Sequence, residues 1–193
     1  MARVPDFDVM QQSGLAVLKE GLPPLPRELT RSDIVPVSYW TTGLGGAVHF
    51  IFFSEDSAGV FHPADVTFQY GRNEDGWHPI KEPLFLNLDR SGAVGDPNFM
   101  RLSPDSVIEG SSGSITNEPD PGRLAIVMSG FHGPEVAEIW LVQGGRIDKR
   151  PCSGHFGSWT ICTELFAPLL VEAHDAAGRL LGSIDEPRAT LED

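Results

Sequence analysis

From residue 34 onward the apolar residues of this chain recur at every second position in short runs, and Gly, Asn, Asp and Pro separate one run from the next. A period of two is that of a strand, whose successive side chains point to opposite faces. The 21 Gly and 16 Pro among 193 residues supply the turns between such runs, and long helices are correspondingly few. With 40% hydrophobic residues, a chain of this length buries a core without disulfide or metal staples.

Taken in order, residues 34–42 and 47–55 flank Gly43-Leu44-Gly45-Gly46 and read as a hairpin. The second run is apolar at both parities, with Val48, Phe50 and Phe52 alternating with Ala47, His49, Ile51 and Phe53, so it reads as a central strand. Residues 65–71 place Val66, Phe68 and Tyr70 on one side, and Asn73-Glu74-Asp75-Gly76 turns the chain into a return strand over Trp77 to Ile80. Leu84-Phe85-Leu86 is a short run followed by loop chemistry up to residue 102. Residues 103–122, with Gly110-Ser111-Ser112-Gly113-Ser114 and no aromatic residue, read as a flexible acidic segment.

The final third gives strands over 123–130, 137–143, 146–150, 158–166, 169–175 and 179–184, with Gly144-Gly145 and Ala176-Ala177-Gly178 as turns. Trp159, Ile161, Thr163 and Leu165 share a face of the run over 158–166. The tail resembles immunoglobulin-like modules, in which a strand ends at Asp, turns through Gly and returns through Arg; this is turn chemistry, and it implies no functional residue.

The single helix expected lies at residues 7–21. Asp8 reads as its cap, Gln11 completes a capping box and Gly21 is the stop, with Phe7, Met10, Gly14, Val17 and Leu18 on one face. Pro23, Pro24, Pro26 and Pro36 then force an extended strap. The fold class read from these signals is all-β, a β-sandwich of immunoglobulin-like architecture with one N-terminal α-helix. The chain divides into 1–33 (helix and strap), 34–102 (first β half), 103–122 and 123–193 (second β half). One integrated unit is the expectation, and two small β domains split at 103–122 is the alternative.

The formal charge of -13, from 14 Lys and Arg against 27 Asp and Glu, argues against nucleic acid, because phosphate binding requires clustered cations. An anionic membrane surface would repel the chain, and no run approaches the 18 apolar residues needed to span a bilayer. The first residues lack the basic start and apolar stretch of a secretory signal, which gives cytoplasmic localisation as the expectation. Cys152 and Cys162 are then free thiols.

Catalytic motifs are missing: the chain has no Gly-x-Ser-x-Gly, Ser-x-x-Lys, His-Glu-x-x-His or phosphate-binding loop. Cys152-x2-His155 followed by Cys162 offers thiolate and imidazole at close spacing, and His132 or His174 would complete a zinc site. Paired Cys or His motifs are absent, however, so no metal and no cofactor is expected and the zinc cluster is the alternative. Of the six histidines at 49, 62, 78, 132, 155 and 174, His49 sits in an apolar run and reads as a hydrogen-bonded core histidine. Trp140, with Glu138 and Val142, occupies the face opposite Ala137, Ile139 and Leu141 and reads as a contact surface. The functional expectation is a non-catalytic binding or assembly protein acting on a protein partner or on itself. The alternatives are a metal-dependent hydrolase built on His132, Cys152, His155 and Cys162, and a binder of small apolar ligands between aromatic-rich sheets.

Overall fold

The computed structural model describes residues 5–25, 29–87, 106–114, 124, 126–165 and 167–186. They form one α-helix and eleven strands, all pairings being antiparallel. The first sheet contains β1 (Val35–Thr41), β2 (Gly45–Glu55), β3 (Phe61–Asn73) and β4 (Gly76–Asn87) in that order. A middle sheet has the order β5 (Ile108–Ser114), β6 (Ile126–His132) and β9 (Ser158–Thr163). The third runs β11 (Leu180–Glu186), β10 (Leu169–His174), β7 (Glu138–Gln143), β8 (Arg146–Pro151). None of the helices described is long and apolar enough to cross a membrane.

Helix α1 (Phe7–Glu20) packs on one face of the first sheet. Its Met10, Val17 and Leu18 meet Val48, Phe50 and Phe52 of β2 and Val66, Phe68 and Tyr70 of β3. The cap is Asp6 and not Asp8: the Asp6 carboxylate accepts the Asp8 N–H at 2.9 Å, which leaves Asp8 as an acidic residue of the first turn. Gly21 ends the helix with a positive φ of 91°, as expected.

The opposite face of the first sheet is buried as well. The odd-numbered residues of β2 and β3 are inaccessible along most of their length, and they meet Ser129 and Phe131 of β6 and Ser158 of β9. The middle sheet then presents Ile126, Met128, Trp159 and Ile161 to Ile139, Leu141, Leu169 and Val171 of the third sheet in one continuous apolar cluster. Successive packing of helix, first sheet, middle sheet and third sheet buries β6 and β9 of the middle sheet on both faces.

Three expectations about strands are corrected. The stretches around Trp77–Ile80 and Leu84–Leu86 are one strand, β4, running through Pro79 and Pro83. Proline is accommodated because β4 is an edge strand, where a missing N–H costs no ladder bond on the outer side, and the pairing with β3 shifts register at Thr67/Phe68 and Phe68/Tyr70. Residues 108–114, assigned by composition to a flexible segment, form β5 and pair with β6 from Ile108↔His132 to Ser114↔Ile126. Gly110 follows from packing: a Cβ there would stand 2.5 Å from Cζ2 of Trp159, whose indole N–H donates to the carbonyls of Glu109 and Phe131. The remaining residues of 103–122 lie in part outside the described residues. The run expected over 158–166 is also shorter, since β9 stops at Thr163 and Leu165 is exposed.

Candidate functional site

Between the first and middle sheets lies a layer of polar side chains. His49 (β2), Asp65 and Thr67 (β3), Ser38 (β1), Ser129 (β6), and Ser158 and Thr160 (β9) are all buried, so each polar atom must find its partner within the protein. Asp65 Oδ1 accepts from Asn87 Nδ2 at 3.0 Å and lies 3.1 Å from His49 Nε2. An ionised carboxylate has no proton to donate, so the contact with Asp65 places the His49 proton on Nε2. In that tautomer Nδ1 accepts the hydroxyl of Ser158 at 2.9 Å. Ser38 Oγ stands 2.7 Å from both Ser158 Oγ and Thr160 Oγ1, and Thr67 Oγ1 stands 2.6 Å from Ser129 Oγ.

A pocket of about 210 Å³ opens between β1, the end of β8 and the start of β9. Exposed Tyr39, Pro151 and Ser153 stand on its lining together with buried Ser38, Ser158 and Thr160. The Arg150 guanidinium lies 3.9 Å from the centroid of the Trp40 ring on its wall. Each of the three strands is the last of its sheet.

The residues proposed as zinc ligands are not gathered into one site. Cys162 is buried and its Sγ donates to the Trp40 carbonyl at 3.6 Å; burial pushes its thiol well above the usual range. Cys152 lines the pocket, and burial, followed by the charge of Glu138, pushes its thiol up to about 11. His155 Nε2 donates to the Pro23 carbonyl at 2.8 Å, pinning the strap. His132 Nδ1 donates to the Gly133 carbonyl at 2.7 Å, while its Nε2 is buried with no hydrogen-bond partner. Burial holds the His132 imidazole below its ordinary value, against the opposing pull of the Gly133 hydrogen bond and the Glu135 charge. Among the described residues no three of His, Cys, Asp and Glu come together to hold a metal ion.

Trp140 stands on the outer face of the third sheet, half-buried. Its indole N–H donates to Glu138 Oε2 at 2.8 Å, His174 stacks on it at 3.7 Å between centroids, and Lys149 Nζ lies 3.5 Å from its ring. His174 in turn bonds Glu172 Oε2 at 2.9 Å and the Gly178 carbonyl at 3.1 Å. Val142 lies in the neighbouring cross-strand row with Ile147 and Leu170. Lys149 and Arg150, adjacent on β8, thus cover Trp140 on one side of the strand and Trp40 on the other.

His49 is the core histidine expected, whereas Asp65, Ser158 and Ser38 were not anticipated as its companions. The available signal was the run Asp65-Val66-Thr67-Phe68-Gln69-Tyr70: its polar alternate residues resemble a solvated face, and here they line a second buried interface. Comparison with protein-family models, with curated proteins and with solved structures gives no match for this chain.

Proposed function

We propose that this chain is a binding protein that holds a protein partner on the outer face and free edge of its third sheet. The observation that carries the reading is the row Ile147, Val142 and Leu170, in which Ile147 is 55% exposed, lying beside an indole fixed by Glu138, His174 and Lys149. Pre-positioned aromatic and aliphatic groups of this kind form interface anchors at little entropic cost. Strand β8 ends the sheet and carries Arg146, Lys149 and Arg150 against a single acid, Asp148, in a chain of net charge -13. An extended partner segment with alternating acidic and apolar residues is repelled by most of the surface and drawn to this edge, where it can add as a further strand.

The wider reading is a β-sandwich of immunoglobulin-like kind, one integrated unit working in the cytoplasm without nucleic acid or membrane. The two alternative functions gain less support. The hydrolase on His132, Cys152, His155 and Cys162 has no metal cluster among the described residues, and the pocket is lined by hydroxyls and an arginine as well as by apolar groups.

Amide hydrogen exchange with a synthetic ten-residue peptide of alternating Glu and Val tests the reading. The expected result is slowed exchange in β8, weakened by salt and by Arg146→Glu with Lys149→Glu. Unchanged exchange in β8 at millimolar peptide rejects it.

A further inference from the structure

We propose that Ser158 is the nucleophile of an acyl-transfer site, with His49 as its base and Asp65 positioning that base, acting on esters of short acyl chains that enter the pocket between β1, β8 and β9. The inference goes beyond the partner-binding reading and shares no readout with it. A nucleophile, a base within hydrogen-bond reach and a third group orienting the base are the required constellation. Here they stand at 2.9 Å (Ser158 Oγ to His49 Nδ1) and 3.1 Å (His49 Nε2 to Asp65 Oδ1). An ionised Asp65 carboxylate only accepts, from Asn87 Nδ2 as well as from His49 Nε2, so the lone pair of the imidazole is the one on Nδ1, facing Ser158.

The three groups come from β9, β2 and β3 and not from loops, which holds their geometry as catalysis requires; this is also why no local motif announces them. His49 and Asp65 are 0% and 2% exposed, and in such a dry setting their hydrogen bonds are stronger than in water. The pocket lining reaches Ser158, Ser38 and Thr160. Ser38 Oγ, 2.7 Å from Ser158 Oγ, brings a second hydroxyl beside the nucleophile. A volume of about 210 Å³ is below that of drug-sized sites and sets the limit to short acyl chains. Just before Ser158 the backbone turns through Phe156 at φ 57°, the one positive φ outside glycine among the described residues. Strain of this kind concentrates at functional sites.

In the reaction Ser158 Oγ bonds to the ester carbonyl carbon as its proton passes to His49 Nδ1. Collapse breaks the bond to the alcohol oxygen, which leaves with that proton. Water then attacks the acyl carbon, giving a proton to His49; the carbon–Oγ bond breaks, and Ser158 recovers its proton. The balance is ester plus water to acid plus alcohol, with no change of oxidation state.

The test exposes the full chain to a small fluorophosphonate and reads intact mass and fragment ions. One equivalent is expected on Ser158 of the native chain and none on the chain unfolded in guanidinium, a comparison that requires no variant. Asp65→Asn, where it still melts cooperatively, is expected to slow labelling by roughly 10²–10⁴-fold and to move its pH profile. A native chain left unlabelled by prolonged excess reagent, labelling elsewhere than Ser158, or equal labelling of the unfolded chain overturns the proposal and leaves Ser158, His49 and Asp65 as a structural tie between sheets.

Discussion

The hydroxyl of Tyr70 occupies the space in which a side chain at position 14 would stand: a Cβ built on Gly14 overlaps Tyr70 Oη and comes within 2.5 Å of its Cζ. Tyr70 Oη meanwhile donates to the Gln11 carbonyl at 3.3 Å. The glycine that weakens α1 as an isolated helix is therefore what lets β3 approach it. Gly14→Ala should gain about 1 kcal/mol in helix propensity and lose more to overpacking, typically 1–3 kcal/mol, because Tyr70 has no room to withdraw in a fully buried site. Chemical denaturation should show a net loss for Gly14→Ala, and a double-mutant cycle with Tyr70→Phe should show coupling between the two sites. A stabilised Gly14→Ala protein would show that the helix is not held at this distance.

The helix face, the central position of β2 and the hairpins of the last third were legible because each rests on a local pattern: apolar spacing in α1, two apolar faces in β2, glycine between paired runs. β5 was not. Its Gly and Ser match the composition of a loop, and only the position of the Trp159 ring, fifty residues away in sequence, gives a reason for Gly110. The Asp65–His49–Ser158 arrangement failed for the same reason, since three strands bring it together and no spacing within one strand records it. The Asp175 turn marks the other extreme. Its carboxylate accepts the N–H groups of Ala177 and Arg179, so the Asp, Gly and Arg read in the sequence are the parts that build it.

Residues 108–114 should exchange their amide hydrogens slowly, as a paired strand does, and Gly110→Val should destabilise the protein by driving a branched side chain into the Trp159 ring. Rapid exchange across 108–114 in the native protein would restore the reading by composition.

The two thiols should be poor nucleophiles. With Cys152 pushed up to about 11, its thiolate fraction at pH 8 falls roughly 10²-fold below that of an ordinary cysteine, and Cys162 lies higher still and is buried. Iodoacetamide at pH 8 should therefore modify the folded protein slowly at Cys152 and not at Cys162, and both quickly after denaturation. Rapid native alkylation of Cys162 would place it at the surface.

His132 gives acid sensitivity with a definite sign. Its folded-state pKa lies below the ordinary 6.5, so below that pH the unfolded chain takes up a proton that the folded one resists. The stabilisation is complete above about 6.5 and is lost as pH falls through the folded value. His132→Phe should flatten this part of the stability–pH curve, read as denaturation midpoints between neutral pH and the onset of general acid unfolding. An unaltered slope would assign the acid limb to other groups.

The His49–Asp65 pair should be costly to break and cheap to replace. Removing the carboxylate alone, as in Asp65→Ala, leaves the fully buried His49 Nε2–H without its partner at 3.1 Å and deprives the part-buried Asn87 amide of the acceptor it meets at 3.0 Å. Leaving a buried donor unsatisfied typically costs about 1–3 kcal/mol, whereas replacing both partners by apolar groups of similar shape is often close to neutral, because the desolvation of two polar groups disappears with them. Asp65→Leu combined with His49→Leu should therefore lose less stability than the sum of the single substitutions, with a coupling of at least about 1 kcal/mol, inside the range measured for residues in one hydrogen-bonded network. Ser158 tempers the rescue: once the imidazole is gone, its hydroxyl retains Ser38 at 2.7 Å as a partner, so no buried hydroxyl is orphaned and the double variant should still unfold in one cooperative step. Strictly additive losses in denaturant titrations would mean that the imidazole and the carboxylate do not act as a pair.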